Sequence, residues 1–303
     1  MQTTTILDGG MSRELERHGA PFRQPEWSAL AMIETPEIVK TVHKAFIEAG
    51  SQVITTNSYA LVPFHIGEER FQQDGSELVT RSALVAKEAV KESKKDAKVA
   101  GSIPPIFGSY RADLYQADQI ETLASPIISA LAPHIDIWLN ETQSLLAESL
   151  AIKTLVDKID LQNKPYWVSF TLEDSEACDQ PRLRSGETVV EAVNIMMAQK
   201  VDAILFNCCQ PEVISEAIRI ANKLIQSADH PIQIGAYANA FAPQPKNATA
   251  NEGLDEVRKD LTPDSYLTWA KEWQDLGANL IGGCCGIGTE HIKVLAESLT
   301  ELS

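Results

Sequence analysis

Eight short runs of apolar and β-branched residues alternate with helical stretches from one end of this 303-residue chain to the other, and that rhythm constrains its fold most. The runs are Thr4–Asp8, Val53–Thr56, Val99–Ser102, Asp136–Glu141, Tyr166–Thr171, Ala203–Phe206, Pro231–Tyr237 and Leu280–Gly283. Each is nearly continuous in apolar residues, as parallel strands covered on both faces are. Helices are expected over 12–17, 76–95, 117–131, 144–159, 187–199, 212–225, 264–276 and 290–299. Another starts at Thr35-Pro36-Glu37, with Thr as N-cap and Pro at the first helical position. Its apolar spacing at Ile38, Val42, Ala45, Phe46 and Ala49 gives one buried face, and Gly50 ends it. Eight such units in a chain of this length predict an α/β fold, a (β/α)8 TIM barrel. The runner-up is an open doubly wound sheet, but no early strand is followed by Gly-x-Gly-x-x-Gly. With no linker or low-complexity segment, residues 1–303 read as a single domain.

Charge and cysteine usage narrow the function. A net charge of −16 repels phosphate backbones and anionic lipid, so neither nucleic acid nor a membrane is an expected partner. No apolar run approaches the roughly 20 residues that cross a bilayer, and the N-terminus does not read as a signal peptide. Five cysteines in so long a chain lack the density of a secreted disulfide scaffold. A reducing cytoplasm is expected, where clustered cysteines serve as metal ligands or catalytic groups.

A barrel draws its chemistry from the C-terminal ends of its strands. Those ends carry Asp8, Thr55-Thr56-Asn57, Glu141, Asn207-Cys208-Cys209 and Gly282-Gly283-Cys284-Cys285-Gly286. Thiolates suit a tetrahedral zinc ion, and a catalytic zinc site keeps one position open. Adjacent strand residues point to opposite faces, so Cys284 and Cys285 converge only from irregular backbone, which the flanking glycines permit. The third thiolate falls to Cys208 or Cys209. Two other readings stand beside the metal: small buried hydrophobes near strand ends, and a vicinal disulfide or redox dithiol. Asp8 reads equally as a turn residue, and Glu141 as part of a helix start. None of the six histidines sits at a strand end, and Cys178 has no assigned role. The long connection Asn239–Thr262 follows the seventh strand and reads either as a lid or as an idle insertion.

The combination of Asp8-Gly9-Gly10, Glu141, Asn207-Cys208 and Gly282-Gly283-Cys284-Cys285-Gly286 resembles the homocysteine S-methyltransferase family, from about Ile6 to Ile292. The resemblance implies a zinc ion (Zn2+) held by Cys208, Cys284 and Cys285, and so selects Cys208 over Cys209. It implies that Asp8 and Glu141 hold the amino group of homocysteine, with backbone near Thr55 receiving the carboxylate. Trp27 and Tyr59 match positions near the methyl donor in betaine-type members, and Asn239 matches an Asn of the S-methylmethionine type. Thr142 stands where betaine-type members carry Tyr, which with Asn239 weighs toward the S-methylmethionine branch. The expected reaction moves a methyl group from a small cationic donor, S-methylmethionine or S-adenosylmethionine before a betaine-like one, to homocysteine, giving methionine. Trp27 and Tyr59 would attract that cation through their ring faces. Alternatives are another acceptor, such as selenocysteine, or a non-catalytic binding or redox-sensing barrel.

Overall fold

The computed structural model describes residues 3–21, 23–175, 180–243 and 256–300. Eight strands pair in parallel: β1 (Thr5–Ile6), β2 (Val53–Thr55), β3 (Lys98–Ile103), β4 (Ile137–Gln143), β5 (Tyr166–Phe170), β6 (Ala203–Asn207), β7 (Gln233–Tyr237) and β8 (Leu280–Ile281). The order β1-β8-β7-β6-β5-β4-β3-β2 leaves β1 and β2 as neighbours, and a parallel bridge from Leu7 to Val53 joins them. The result is a nearly closed single-domain (β/α)8 barrel.

Helices wrap the outside: α1 (Met11–Arg17), α2 (Ser28–Glu34), α3 (Pro36–Ala49), α4 (Pro63–Ile66), α5 (Glu68–Ser93), α6 (Ile120–Leu131), α7 (Leu146–Ile159), α8 (Val189–Ala198), α9 (Pro211–Ile225), α10 (Pro263–Asp275) and α11 (Thr289–Leu299). Among the described residues, none is long and apolar enough to cross a membrane.

The period-2 alternation of strand side chains builds two separate cores. Ile204 and Phe206 on β6, with Trp138 on β4, face outward into the layer shared with the helices. Leu139, Trp167, Ala203, Leu205 and Leu280 face inward and fill the barrel axis. The interior is therefore a plug of side chains, and the site must sit above it.

Several boundaries differ from the sequence reading. Helix α5 begins at Glu68 rather than Ser76, running straight through Gly75. Phe71 is buried, and a Cβ on Gly75 would lie 2.9 Å from its ring, so packing holds the turns that precede Ser76. Pro36 does occupy the first turn of α3, but the Thr35 side chain makes no capping bond; its hydroxyl reaches back 3.5 Å to the Ala31 carbonyl. Strand β8 ends at Ile281, before the glycine pair. The short helices α2 and α4 were not foreseen.

Candidate active site

A cavity opens at the C-terminal end of the barrel, lined by residues of β2, β4 and β7 and of the segments that follow β1, β2, β3, β6, β7 and β8. Its floor follows from counting along the strands. Residues two beyond the apolar plug are Ser102, Glu141, Ser169, Asn207 and Tyr237, so the top interior layer turns polar. Glu141 is in the strand, not at a helix start, and its carboxylate accepts hydrogen bonds from the Ser102 hydroxyl and from the Tyr237 hydroxyl at 3.1 Å. Burial pushes its pKa up to about 7, against the pull of those two donors.

Asp8 faces Glu141 from the end of β1. Its carboxylate accepts the Thr55 amide at 2.7 Å and the Thr55 hydroxyl at 3.1 Å. Burial raises it to about 7 as well; the Thr55 bonds oppose the rise and the charge on Glu141 adds to it. Two buried carboxylates thus face one cavity, an arrangement chemically suited to a cationic group. Thr55 N–H is committed to Asp8.

The register between β4 and β5 shifts between Asn140 and Gln143, a bulge that re-aims Glu141 and Thr142. Thr142 has φ 58°, a costly setting for a β-branched residue. Asn207 supports it: Thr142 donates its amide to Asn207 Oδ1 at 3.1 Å, and Asn207 donates Nδ2 to the Thr142 hydroxyl at 2.8 Å.

Cys208, immediately after β6, also lies in the left-handed region at φ 50°. Its carbonyl accepts from Thr171 at 3.1 Å and Tyr110 at 3.4 Å, and its amide donates to Tyr237 O at 3.3 Å. That conformation brings Cys208 to the cavity, while Cys209 packs in the outer layer, its thiol pushed up to about 12 by burial.

Cys284 and Cys285 lie beyond β8 in irregular backbone, with their sulfurs 4.0 Å apart. Gly286, at φ +82°, turns the chain there. Gly10 allows the Asp8 loop to press against this turn: a Cβ on it would lie 2.5 Å from the Cys284 carbonyl and 3.0 Å from Cys285 Cα. The sulfurs of Cys208, Cys284 and Cys285 all lie within 4.8 Å of one another. In this structure Cys208 and Cys284 are joined as a disulfide, a pairing 76 residues apart that the vicinal reading did not foresee. Reduced, the three sulfurs can converge on one metal ion and leave a tetrahedral position open to a ligand.

Trp27 and Tyr59 line the cavity, with Tyr110 and Phe241. The Tyr59 hydroxyl shares a 2.6 Å hydrogen bond with Ser109. Asn239 is not among the lining residues: it is buried behind the wall, its Oδ1 accepting from Gln210 at 3.2 Å and from the Phe241 amide at 3.3 Å. Sequence reasoning missed Ser102, Tyr237, Ser109 and Tyr110. The first two were detectable by strand parity; the other two lie on a loop with no period to betray them. Cys178 and positions 244–255 of the long connection lie outside the described residues.

The chain matches the profile of the family described as homocysteine S-methyltransferase over residues 5–299. It is 30% identical to homocysteine S-methyltransferase 1 of Brassica oleracea var. italica, covering 97% of this chain and 93% of that one. Selenocysteine Se-methyltransferase of the same plant is 27% identical, covering 97% and 88%. Among solved structures, the metallated form of the homocysteine methyltransferase MmuM from Escherichia coli superposes with a TM-score of 0.76 at 26% identity, covering 98% and 96%.

Proposed function

Because the chain belongs to the homocysteine S-methyltransferase family, methyl transfer is its reaction class, and we propose that it methylates homocysteine at a zinc site of Cys208, Cys284 and Cys285. The reading of a non-catalytic or redox-sensing barrel is thereby set aside. One observation carries the proposal. Three sulfurs within 4.8 Å of one another share a cavity with two buried carboxylates. Homocysteine has the two groups that arrangement asks for, a thiol and an ammonium.

Asp8 and Glu141 take the ammonium, which restores charge balance to both. The homocysteine carboxylate goes to donors beyond Thr55 on the same loop. A free thiol with a pKa near 8.5 is largely protonated at neutral pH. Zinc, when bound, supplies a thiolate at that pH by lowering the thiol's pKa. The homocysteine sulfur then attacks the donor's methyl carbon in line. A new C–S bond forms as the bond to the positively charged sulfur or nitrogen breaks, and that atom leaves neutral with the electron pair. No proton moves in this step, consistent with a lining that includes no histidine among the described residues. Trp27 and Tyr59 offer ring faces to the cationic donor. S-methylmethionine is the favoured donor, with S-adenosylmethionine next and a betaine-like donor third. A site that takes up metal only when its cysteines are reduced fits a reducing cytoplasm as the compartment.

A second acceptor, selenocysteine, is favoured by the relative named for that substrate. Methionine formation from homocysteine with S-methylmethionine, S-adenosylmethionine and betaine, measured side by side, tests the reaction. Turnover is expected with at least one sulfonium donor, and no product from any of the three rejects the proposal. Metal analysis under reducing conditions should give one zinc per chain, lost on Cys285→Ala. Full zinc loading of that variant would remove the ligand assignment.

A further inference from the structure

Behind the cavity wall lies a charged pair that the reaction above does not use. Asp174 and Arg184 come from the two sides of the excursion that follows β5, where Leu172 and Leu183 form an antiparallel bridge. Arg184 Nη2 donates to Asp174 Oδ1 at 2.8 Å, and the two side chains are 1% and 0% exposed. Removing two full charges from water costs several kcal/mol per ion, and a pair made only for stability is often no better than apolar residues of the same volume.

The pair reaches two backbone groups, on the two successive peptides that follow Cys208. The Arg184 guanidinium stacks over the Tyr110 ring at 4.5 Å. The Tyr110 hydroxyl donates to the Cys208 carbonyl. On the other side, Asp174 Oδ2 accepts the Gln210 amide at 3.1 Å, two residues beyond Cys208. The pair therefore grips the Cys208-Cys209-Gln210 turn at both ends. Cys208 occupies a left-handed conformation that a non-glycine residue adopts only when its surroundings impose it. A regular backbone there would turn its sulfur away from Cys284 and Cys285.

We propose that Asp174 and Arg184 are positioning residues for the metal site, acting through Tyr110 and Gln210 to hold Cys208 in its strained conformation. This rests on the zinc reading but adds residues to it that touch neither metal nor substrate. Partners of this kind behind a metal ligand typically change metal affinity 10- to 100-fold when removed. Arg184 should not be replaceable by Lys, because an ammonium pairs with Asp174 but lacks the plane that stacks on Tyr110.

The test is zinc affinity by chelator competition on reduced protein, with thermal unfolding of the metal-free form measured in parallel. Wild type must bind zinc; if it does not, the zinc reading itself fails, and this proposal with it. Arg184→Gln and Asp174→Asn are expected to weaken zinc binding at least 10-fold, and Arg184→Lys to recover only part of the loss. Lys164→Gln serves as control: it breaks the largely buried Asp160–Lys164 pair, remote from the cysteines, and should lower the unfolding temperature without changing zinc affinity. Tyr110→Phe removes only the bond to the Cys208 carbonyl and should weaken zinc a few-fold, giving a readout if the charged variants do not fold. Unchanged zinc affinity in Tyr110→Phe and in the folded charged variants overturns the proposal. So does loss of zinc in Lys164→Gln in proportion to its loss of stability, since the pair would then be a structural element only.

Discussion

His43 has no exposed surface on α3, and neither ring nitrogen has a hydrogen-bond partner among the described residues. Burial holds it neutral and lowers its pKa to about 4. The unfolded chain takes up that proton near pH 6.5, so this residue's contribution falls as the pH drops from about 6.5 toward 4. His43→Leu is expected to raise stability by about 1–3 kcal/mol at neutral pH, the cost of an unsatisfied buried polar group, and to flatten the acid limb of the stability curve. Chemical denaturation at pH 5 and pH 7 measures both. Glu148 presents the opposite sign. Burial raises it to about 7, while its carboxylate accepts the Ile106 amide at 2.7 Å. It favours the folded state while protonated, and that advantage is lost as the pH rises through 7. Glu148→Gln keeps an acceptor for Ile106 and should stabilise the protein at pH 8 while changing little at pH 5. At the site, Asp8 and Glu141 are also raised to about 7, so an ammonium ligand binds best above that pH. The KM for homocysteine is expected to fall as the pH rises from 6 to 8, and Glu141→Gln should raise it while leaving zinc bound.

At the scale of elements, counting by two along a strand explains what the sequence disclosed. Ile137, Leu139 and Glu141 share one face of β4, so a lone carboxylate ending an apolar run was readable as a site residue. Ser102 and Tyr237 obey the same parity but passed unnoticed, because serine and tyrosine are unremarkable in a strand. The choice between Cys208 and Cys209 was beyond alternation, since Cys208 has left the strand and taken a positive φ. Its nearness to Cys284 depends on barrel closure, which no local pattern encodes. Gly10 and Gly282 behaved as local chemistry suggests, although the backbone each must approach, at Cys284 and at Asp8, lies at the other end of the chain. Gly10→Ala should push the Asp8 loop off the cysteine turn, because the new methyl meets backbone atoms rather than a yielding side chain. We expect a loss of about 1–3 kcal/mol and weaker zinc retention, read by unfolding and chelator competition.

For the whole molecule, the barrel divides labour between an apolar axis and a polar rim. Leu205 is fully buried in that axis, just below Asn207. Leu205→Ala should cost about 2–5 kcal/mol of stability, with the spread set by how far the plug can relax. The eight-unit rhythm made the architecture legible, whereas how the circle closes was not. That closure is slight: β1 is two residues long and meets β2 through the Leu7–Val53 bridge and the Gln52 amide bonded to Ile6 O at 2.7 Å. Asp8 and Thr55 stand at the top of this junction and are hydrogen-bonded across it. An amino acid bound to Asp8 would therefore act as a hoop on the loosest stave of the barrel. Homocysteine should slow deuterium uptake in the peptides covering β1 and β2 more than in those covering β5 and β6, where the ladder is long and already tight.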